Sequence, residues 1–494
     1  MATATSERVR MKTKLAFGVG AIGEAGPYIA FQSFNMIFYN VVLGLPGSLC
    51  GLAVFLALVF DAVADPVIGF WSDRVRTRIG RRHPFMYAAP IPLALSFYCI
   101  YAPPAGLSQW ALFTWLMTFT LLMRQAISLF HVPHLALGAE LTPDYQQRSV
   151  VMSYNVIFQV VGGAGAAYLG WTWFGSTQGG TTLRENFVPL GLWVALVAAF
   201  AVFISAHFTR DQIPRLRQPP AQGPANLKTF FEAITDCLKN RNYRVLLLGL
   251  LFLSATIGVR ETLSSHMNLF FWELPENKIR NFALASPPAY ILAFIFTARL
   301  HHRLEKRSTV IFAVGVLMFA SVTPLTLRLL GMFPANGSSK LLGALMLFHF
   351  IFYLGMAILT ISVLSALADI ADEHELNTNR RQEGMFYAAR TFFSQMTNGL
   401  GHLIAGIALD LIKFPTGAKP GQVGLDVLVP LGWIEGPIAA LPGILAIYYY
   451  SSFDIDRKRL AEVQRELAAR KRPAVEHPPE SQPAAAVSEA ITSI

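Results

Sequence analysis

Long apolar runs recur along almost the whole of this chain, and that recurrence decides most of what it can fold into. Twelve can be marked, at roughly 15–42, 50–72, 84–103, 109–136, 149–173, 187–208, 246–272, 281–300, 309–330, 341–367, 384–412 and 425–450. Each is long enough to cross a hydrocarbon layer about 30 Å thick. Inside such a layer every backbone amide must find its partner within the protein, and runs of this length do so as helices. Composition agrees: the chain is 53% hydrophobic and 14% charged, where soluble proteins carry about a quarter charged residues. The expected fold class is all-α integral membrane, with twelve transmembrane helices.

The formal net charge of +10 could suggest nucleic acid, but its distribution excludes that. Basic residues cluster in alternate connections. Segment 72–84 holds Arg74, Arg76, Arg78, Arg81 and Arg82, the eighth connection holds Arg299, Arg303, Lys306 and Arg307, and segment 209–245 holds seven more. The connections near Pro46 and Pro104 carry no charge. By the positive-inside rule the even-numbered connections and both termini face the cytoplasm of a multi-pass plasma (bacterial inner) membrane protein. The organisation predicted is a cytoplasmic N-terminus at 1–14, a six-helix half at 15–208 and a linker at 209–245. A second half occupies 246–452, and a cytoplasmic tail 453–494. In the tail, 455–471 reads as a short amphipathic helix and the Pro-, Ala-, Glu- and Ser-rich remainder as disordered. No cleavable signal stands out at the N-terminus. Cys50, Cys99 and Cys237 have neither disulfide nor metal-site spacing and read as packing residues.

A weak internal repeat supports two halves. The turn expected after the fourth run reads Gly138-Ala139-Glu140-Leu141-Thr142 with Arg148 beyond it, and that after the tenth reads Asp372-Glu373-His374-Glu375-Leu376 with Arg380 and Arg381 beyond it. Acidic-then-basic turns at matching places suggest parallel repeats, as in major facilitator transporters. Asp73, Arg74, Glu140, Arg148, Asp372, Glu375, Arg381 and Arg390 are therefore candidates for gating or structural pairing.

Polar residues inside apolar runs are functional candidates, because each costs free energy in lipid. Asp61 and Asp65 lie four apart, on one helix face, in an otherwise apolar run. Two carboxylates there need a partner: a bound cation or proton, or basic residues on neighbouring helices. Arg124, Ser128 and His131 form one stripe of the fourth run, with His134 just off it. Glu24, Tyr28 and Gln32 keep helical spacing in the first run, and Tyr154, Asn155 and Gln159 lie in the fifth. In the second half Arg260 and Glu261 are placed to neutralise each other, and the eleventh run carries Arg390, Gln395, Asn398 and His402. Gly162, Gly163 and Gly165 read as close helix packing. No nucleophile–base pair, metal-ligand spacing or phosphate loop appears, so neither enzyme chemistry nor a cofactor is expected.

Three segments carry a specific resemblance. Residues 60–84 (FDAVADPVIGFWSDRVRTRIGRRHP), 133–148 (PHLALGAELTPDYQQR) and 366–384 (ALADIADEHELNTNRRQEG) resemble the hallmark motifs of the glycoside–pentoside–hexuronide:cation symporters. That is the melibiose-permease-like branch of the major facilitator superfamily, and the similarity spans all twelve runs. The resemblance implies a major facilitator fold in two six-helix halves. It also implies alternating access and coupling of sugar uptake to Na⁺, Li⁺ or H⁺. By position Asp61 and Asp65 match the paired acids of the family's cation site, and Ser128 matches a cation-binding hydroxyl. Glu24 lies one residue from the sugar-binding acid of melibiose permease. Ala64, His131 and Gln395 depart from that permease, standing where it has an asparagine, a sugar-binding aspartate and a lysine.

The resemblance and the polar residues together predict a cation-coupled symporter, with Na⁺ or H⁺ at Asp61, Asp65 and Ser128. A sugar, such as a glycoside or oligosaccharide, is expected near Glu24, Tyr28, Arg124, His131, Asn155 and Gln395, with Phe270 and Phe271 as further stacking surfaces. The partners expected are this small molecule, a monovalent cation and membrane lipid, for a protein acting as a monomer. Two other readings stand beside it. One is a carrier of a non-sugar amphiphile such as a lysolipid, since the family's relatives include one. The other is a sensor that keeps the fold without transporting.

Overall fold

The computed structural model describes residues 9–142, 144–215, 232, 234–378 and 383–471. Ten helices among them are long and apolar enough to cross a membrane. Two more, Met11–Met36 and Glu383–Leu411, have spanning length but fall outside that set. These two carry Glu24 and Gln32, and Arg390, Gln395, Asn398 and His402, so their polarity comes from the site residues they hold. In chain order the helices are α1 (Met11–Met36), α2 (Gly47–Arg74), α3 (Pro90–Tyr101), α4 (Gln109–Glu140), α5 (Tyr145–Ser176) and α6 (Phe187–Thr209). The second set is α7 (Arg241–His266), α8 (Ser286–Arg303), α9 (Lys306–Leu329), α10 (Ser339–Thr378), α11 (Glu383–Leu411) and α12 (Ala439–Ser451), with α13 (Arg457–Lys471) after it. Large apolar side chains such as Ile91, Phe200, Phe294 and Leu411 lie on the outside, as lipid-facing residues should.

The internal repeat is visible in the packing. In the first half α1 packs on α5 and α6, α2 on α4, and α3 on α4 and α6. Adding six to each number gives the second half: α7 on α11 and α12, α8 on α10, and α9 on α10 and α12. The halves meet where α2 lies along α11 and where α5 meets the Glu276–Leu284 segment that leads into α8. Glycine sets the closest approaches. A Cβ on Gly51 of α2 would lie 2.5 Å from the His402 carbonyl oxygen of α11, and one on Gly162 of α5 would lie 2.7 Å from Ile22 Cα of α1. Gly163 is also close to α1, but Gly165 faces open space and does not act as a packing glycine.

Several boundaries differ from the sequence reading. Glu140 ends α4, with Leu141 and Thr142 beyond it, and Asp372 to Leu376 lie within α10, so the acidic residues of both motifs are helical and only the end of the first motif leaves the helix. Helix α7 begins at Arg241, five residues early, because Asn240 caps it by accepting from the Tyr243 amide at 2.9 Å. The third run is divided into His83–Ala88 and Pro90–Tyr101. Most of the Pro-rich linker, Arg381 and the tail beyond Lys471 lie outside the described residues.

Candidate functional site

The site grows from three helices of the first half, each interrupted by an internal proline: Pro27 in α1, Pro66 in α2 and Pro133 in α4. Each proline removes one backbone hydrogen bond close to the polar side chains. Asp61 is 3% exposed. Its Oδ2 accepts from Arg124 Nε at 3.1 Å and Nη2 at 2.7 Å, and its Oδ1 accepts from Ser128 Oγ at 2.8 Å. The spacing that put Arg124 and Ser128 on one face of α4 therefore places both against α2. Asp61 is already neutralised by a buried cation.

Asp65, one turn further along α2, has different company. Gln395 of α11 donates from Nε2 to Asp65 Oδ2 at 3.2 Å across the boundary between the halves, while Asp65 Oδ1 is buried without a hydrogen-bond partner. The two carboxylates share a helix face but not an environment.

Glu24, 5% exposed, sits between two histidines. Its Oε2 is 2.9 Å from His131 Nδ1 and its Oε1 is 3.3 Å from His134 Nδ1. One turn on, Tyr28 stands beneath the Arg124 guanidinium, 6.0 Å from ring centre. Gln32 Nε2 donates at 2.8 Å both to Tyr28 Oη and to Glu261 Oε2 of α7. Asn398 of α11 adds a second donor to Glu261 Oε2, at 3.3 Å. The carboxylate thus joins helices of both halves and borders a cavity of about 140 Å³ that Gln32, Asn268, His349 and Tyr353 also line. Arg260 does not neutralise Glu261: it pairs with Glu435 at 2.8 Å, since adjacent residues point to different sides of α7. Asn155 is 6% exposed, with its Oδ1 unpartnered. Phe270 and Phe271 are buried, the Phe270 ring edge-on to Phe414 and the Phe271 ring edge-on to Trp272.

A model of the family described as MFS/sugar transport protein matches residues 16–457. This chain belongs to that family. The inner membrane symporter YicJ of Escherichia coli is 24% identical, with 94% of this chain and 97% of that one covered. The putative glycoside/cation symporter YagG of the same organism is 20% identical, covering 93% and 95%. The sodium-dependent lysophosphatidylcholine symporter 1-B of Danio rerio is 22% identical, covering 92% and 89%. Among solved structures, the nucleoside transporter NupG shares the fold with a TM-score of 0.62 at 12% identity, covering 90% of this chain and all of that one (100%). The major facilitator fold in two six-helix halves is thereby shown.

The charged helix ends of this MFS protein are organised around residues that sequence spacing did not single out as pairing centres. Arg82, 5% exposed, reaches Asp73 at 2.5 Å, Glu140 at 3.0 Å and the Ser72 hydroxyl at 2.7 Å, and Arg81 reaches Glu140 at 2.7 Å. Arg74 lies over the Phe70 ring, and Arg148 is exposed. In the second half Lys306 pairs with Asp369 at 2.6 Å, and Asn240 and Asn242 both donate to Glu373. Asp372 and Glu375 lie near the end of α10, and Arg390 sits among Tyr243, Tyr387 and Tyr450. Of the residues missed, Glu261 was legible as an intramembrane acid but hidden by its neighbour. His134 was legible only as a second histidine three residues after His131.

Proposed function

We propose that this protein is a cation-coupled symporter of a sugar, of the glycoside or oligosaccharide class, working by alternating access. The observation that carries the reading is Asp65. Its carboxylate lies between the halves, takes one hydrogen bond from Gln395 of the opposite half and keeps a buried oxygen without a partner. A Na⁺ ion or a proton there would neutralise it, with the Ser128 hydroxyl and the Asp61 carboxylate close by on α4 and α2. Because the carboxylate bridges the halves, its charge state biases how they pack, and cation and substrate couple when both favour the same packed state. The carboxylate, amides and hydroxyl at the boundary (Glu261, Gln32, Asn398 and Tyr28) suit a polyhydroxylated ligand. In this reading the protein acts as a monomer in the plasma membrane with cytoplasmic termini, and it needs no cofactor beyond Na⁺ or H⁺.

One observation favours a second cargo, a single-chain amphiphile. An apolar groove of about 590 Å³ runs between α1, α5 and α6, lined by Gly26, Val161, Gly165, Leu169 and Trp193 among others. It has room for an acyl chain, and the zebrafish relative is named for a lysolipid.

The test is the melting temperature of the purified protein against glycosides, hexuronides and lysolipids, with and without Na⁺. A ligand at about 100 times its Kd adds roughly 2.7 kcal/mol to the folded state. A sugar-induced shift that grows with Na⁺ or with acidity and vanishes in Asp65→Asn supports the reading. A response to lysolipids alone replaces the sugar by the amphiphile. No cation dependence with any ligand would sink symport itself.

A further inference from the structure

Glu24, His131 and His134 form a cluster that leaves two buried acceptors side by side. His134 is fully buried, sandwiched between the rings of Phe17 at 4.2 Å and Phe130 at 4.6 Å. Its Nε2 lies 2.9 Å from the Phe17 carbonyl oxygen. A carbonyl only accepts, so Nε2 carries a hydrogen. In a neutral ring Nδ1 then presents a lone pair; Glu24 Oε1 lies 3.3 Å from it, and both atoms are buried without a hydrogen-bond partner. Two adjacent buried acceptors, neither with a donor, are relieved when one proton is bound at the pair. It resides either on Nδ1, making an imidazolium against a carboxylate, or on Oε1, making a neutral acid against a neutral ring.

We infer that the Glu24–His134 contact is a proton-binding site, holding one exchangeable proton distinct from any cation at Asp61 and Asp65. His131 is its entry: Nδ1 touches Glu24 Oε2 at 2.9 Å, while its side chain is 38% exposed. Without the proton Glu24 Oε1 on α1 and His134 Nδ1 on α4 remain side by side as buried acceptors with no donor. The charged groups acting on Glu24 are His131 and His134, and those on His131 include Glu24, Asp65 and Asp61 of α2. Helices α5 and α6 present Gly162, Ala166, Val202 and Ser205 to this stretch of α1, and α7 presents Glu261 two turns on, at Gln32. The site deepens the symport reading, on which its role in transport rests: it makes H⁺ the coupling ion even where Asp65 remains charged.

The experiment uses full-length protein in lipid nanodiscs, with ¹⁵N-labelled histidine, monitored across pH by imidazole NMR and by the infrared carboxyl region. The expected result is a His134 Nε2 that stays protonated throughout and one proton-release step. That step is abolished in Glu24→Gln and in His134→Gln, whose amide still offers a donor to the Phe17 carbonyl, and it persists in Asp65→Asn. A release step unchanged in a monodisperse Glu24→Gln protein, or lost only in Asp65→Asn, overturns the site. An Nδ1–H tautomer of His134 with a bare Nε2 also overturns it. Proton release intact at Glu24 in a protein that moves no sugar with H⁺ or Na⁺ supports the site and sinks symport, so the two failures are told apart.

Discussion

Arg124 delivers two hydrogen bonds to one oxygen of Asp61, from Nε at 3.1 Å and Nη2 at 2.7 Å. Both side chains are largely buried, at 13% and 4% exposure. Breaking a buried pair from one side strands a charge and costs about 3–5 kcal/mol. Arg124→Gln should therefore destabilise the protein strongly. Asp61→Asn combined with Arg124→Gln should recover most of that loss, because no charge is left alone. Denaturation of the two variants in the same detergent measures it. Equal instability in both would mean that Arg124 acts through packing and not through Asp61.

Closure of the face where α2 begins depends on glycine. At Gly51 a Cβ would also fall 2.8 Å from Leu403 Cα, so a larger residue has to push α11 away. Overpacking of this kind costs about 1–3 kcal/mol. Cys50, fully buried beside it, is a natural reporter. With Cys99 and Cys237 replaced by serine, Gly51→Leu should make Cys50 reactive toward a water-soluble maleimide at a rate at least several-fold above its parent. An unchanged labelling rate would show that the halves can absorb the extra volume without parting.

Asp410 fastens the same face from the other half. Its Oδ1 and Oδ2 accept from the amides of Gly47 and Ser48, at 2.6 and 2.8 Å, which are the first amides of α2. A carboxylate at a helix N-terminus is stabilising, and losing such a cap costs about 0.5–2 kcal/mol. Asp410→Ala should lower the melting temperature, and Asp410→Asn, which still accepts, should lower it less. The gap between the two should narrow in high salt, since only the charge is screened. A gap indifferent to salt would assign the contact to hydrogen bonding alone.

Much of this architecture was legible in the chain. Apolar runs marked the helices, and spacing placed Arg124 and Ser128 on one face of α4 and both acids on one face of α2. Spacing within a helix says nothing about how that helix is rotated toward its neighbours. Arg260 and Glu261 are adjacent in sequence, yet one pairs with Glu435 and the other with Gln32, because consecutive positions diverge by about 100° around a helix. His134 lay off the polar stripe for the same reason, and only the approach of α1 gives it Glu24 and the Phe17 carbonyl. The acidic motifs at Glu140 and Asp372 read as turns because charge suggests solvent, whereas helices extend past the hydrocarbon layer and carry charge on their last turns.

Glu261 offers a direct measure of how the halves hold together at the site. Its Oε2 is reached from α1 by Gln32 and from α11 by Asn398, so a single carboxylate ties one helix of the first half to two of the second. Residues that share a hydrogen bond couple by about 0.5–3 kcal/mol. A double-mutant cycle of Gln32→Ala and Glu261→Ala should therefore show an interaction energy of about 1–2 kcal/mol. The contact spans the boundary that opens in the alternating access proposed above, so removing it should also shift the population of states. Spin labels on α1 and α7 should report a broader distance distribution in Glu261→Ala than in the parent. Additive stabilities together with an unchanged distribution would place the functional junction elsewhere, at Asp65 and Gln395.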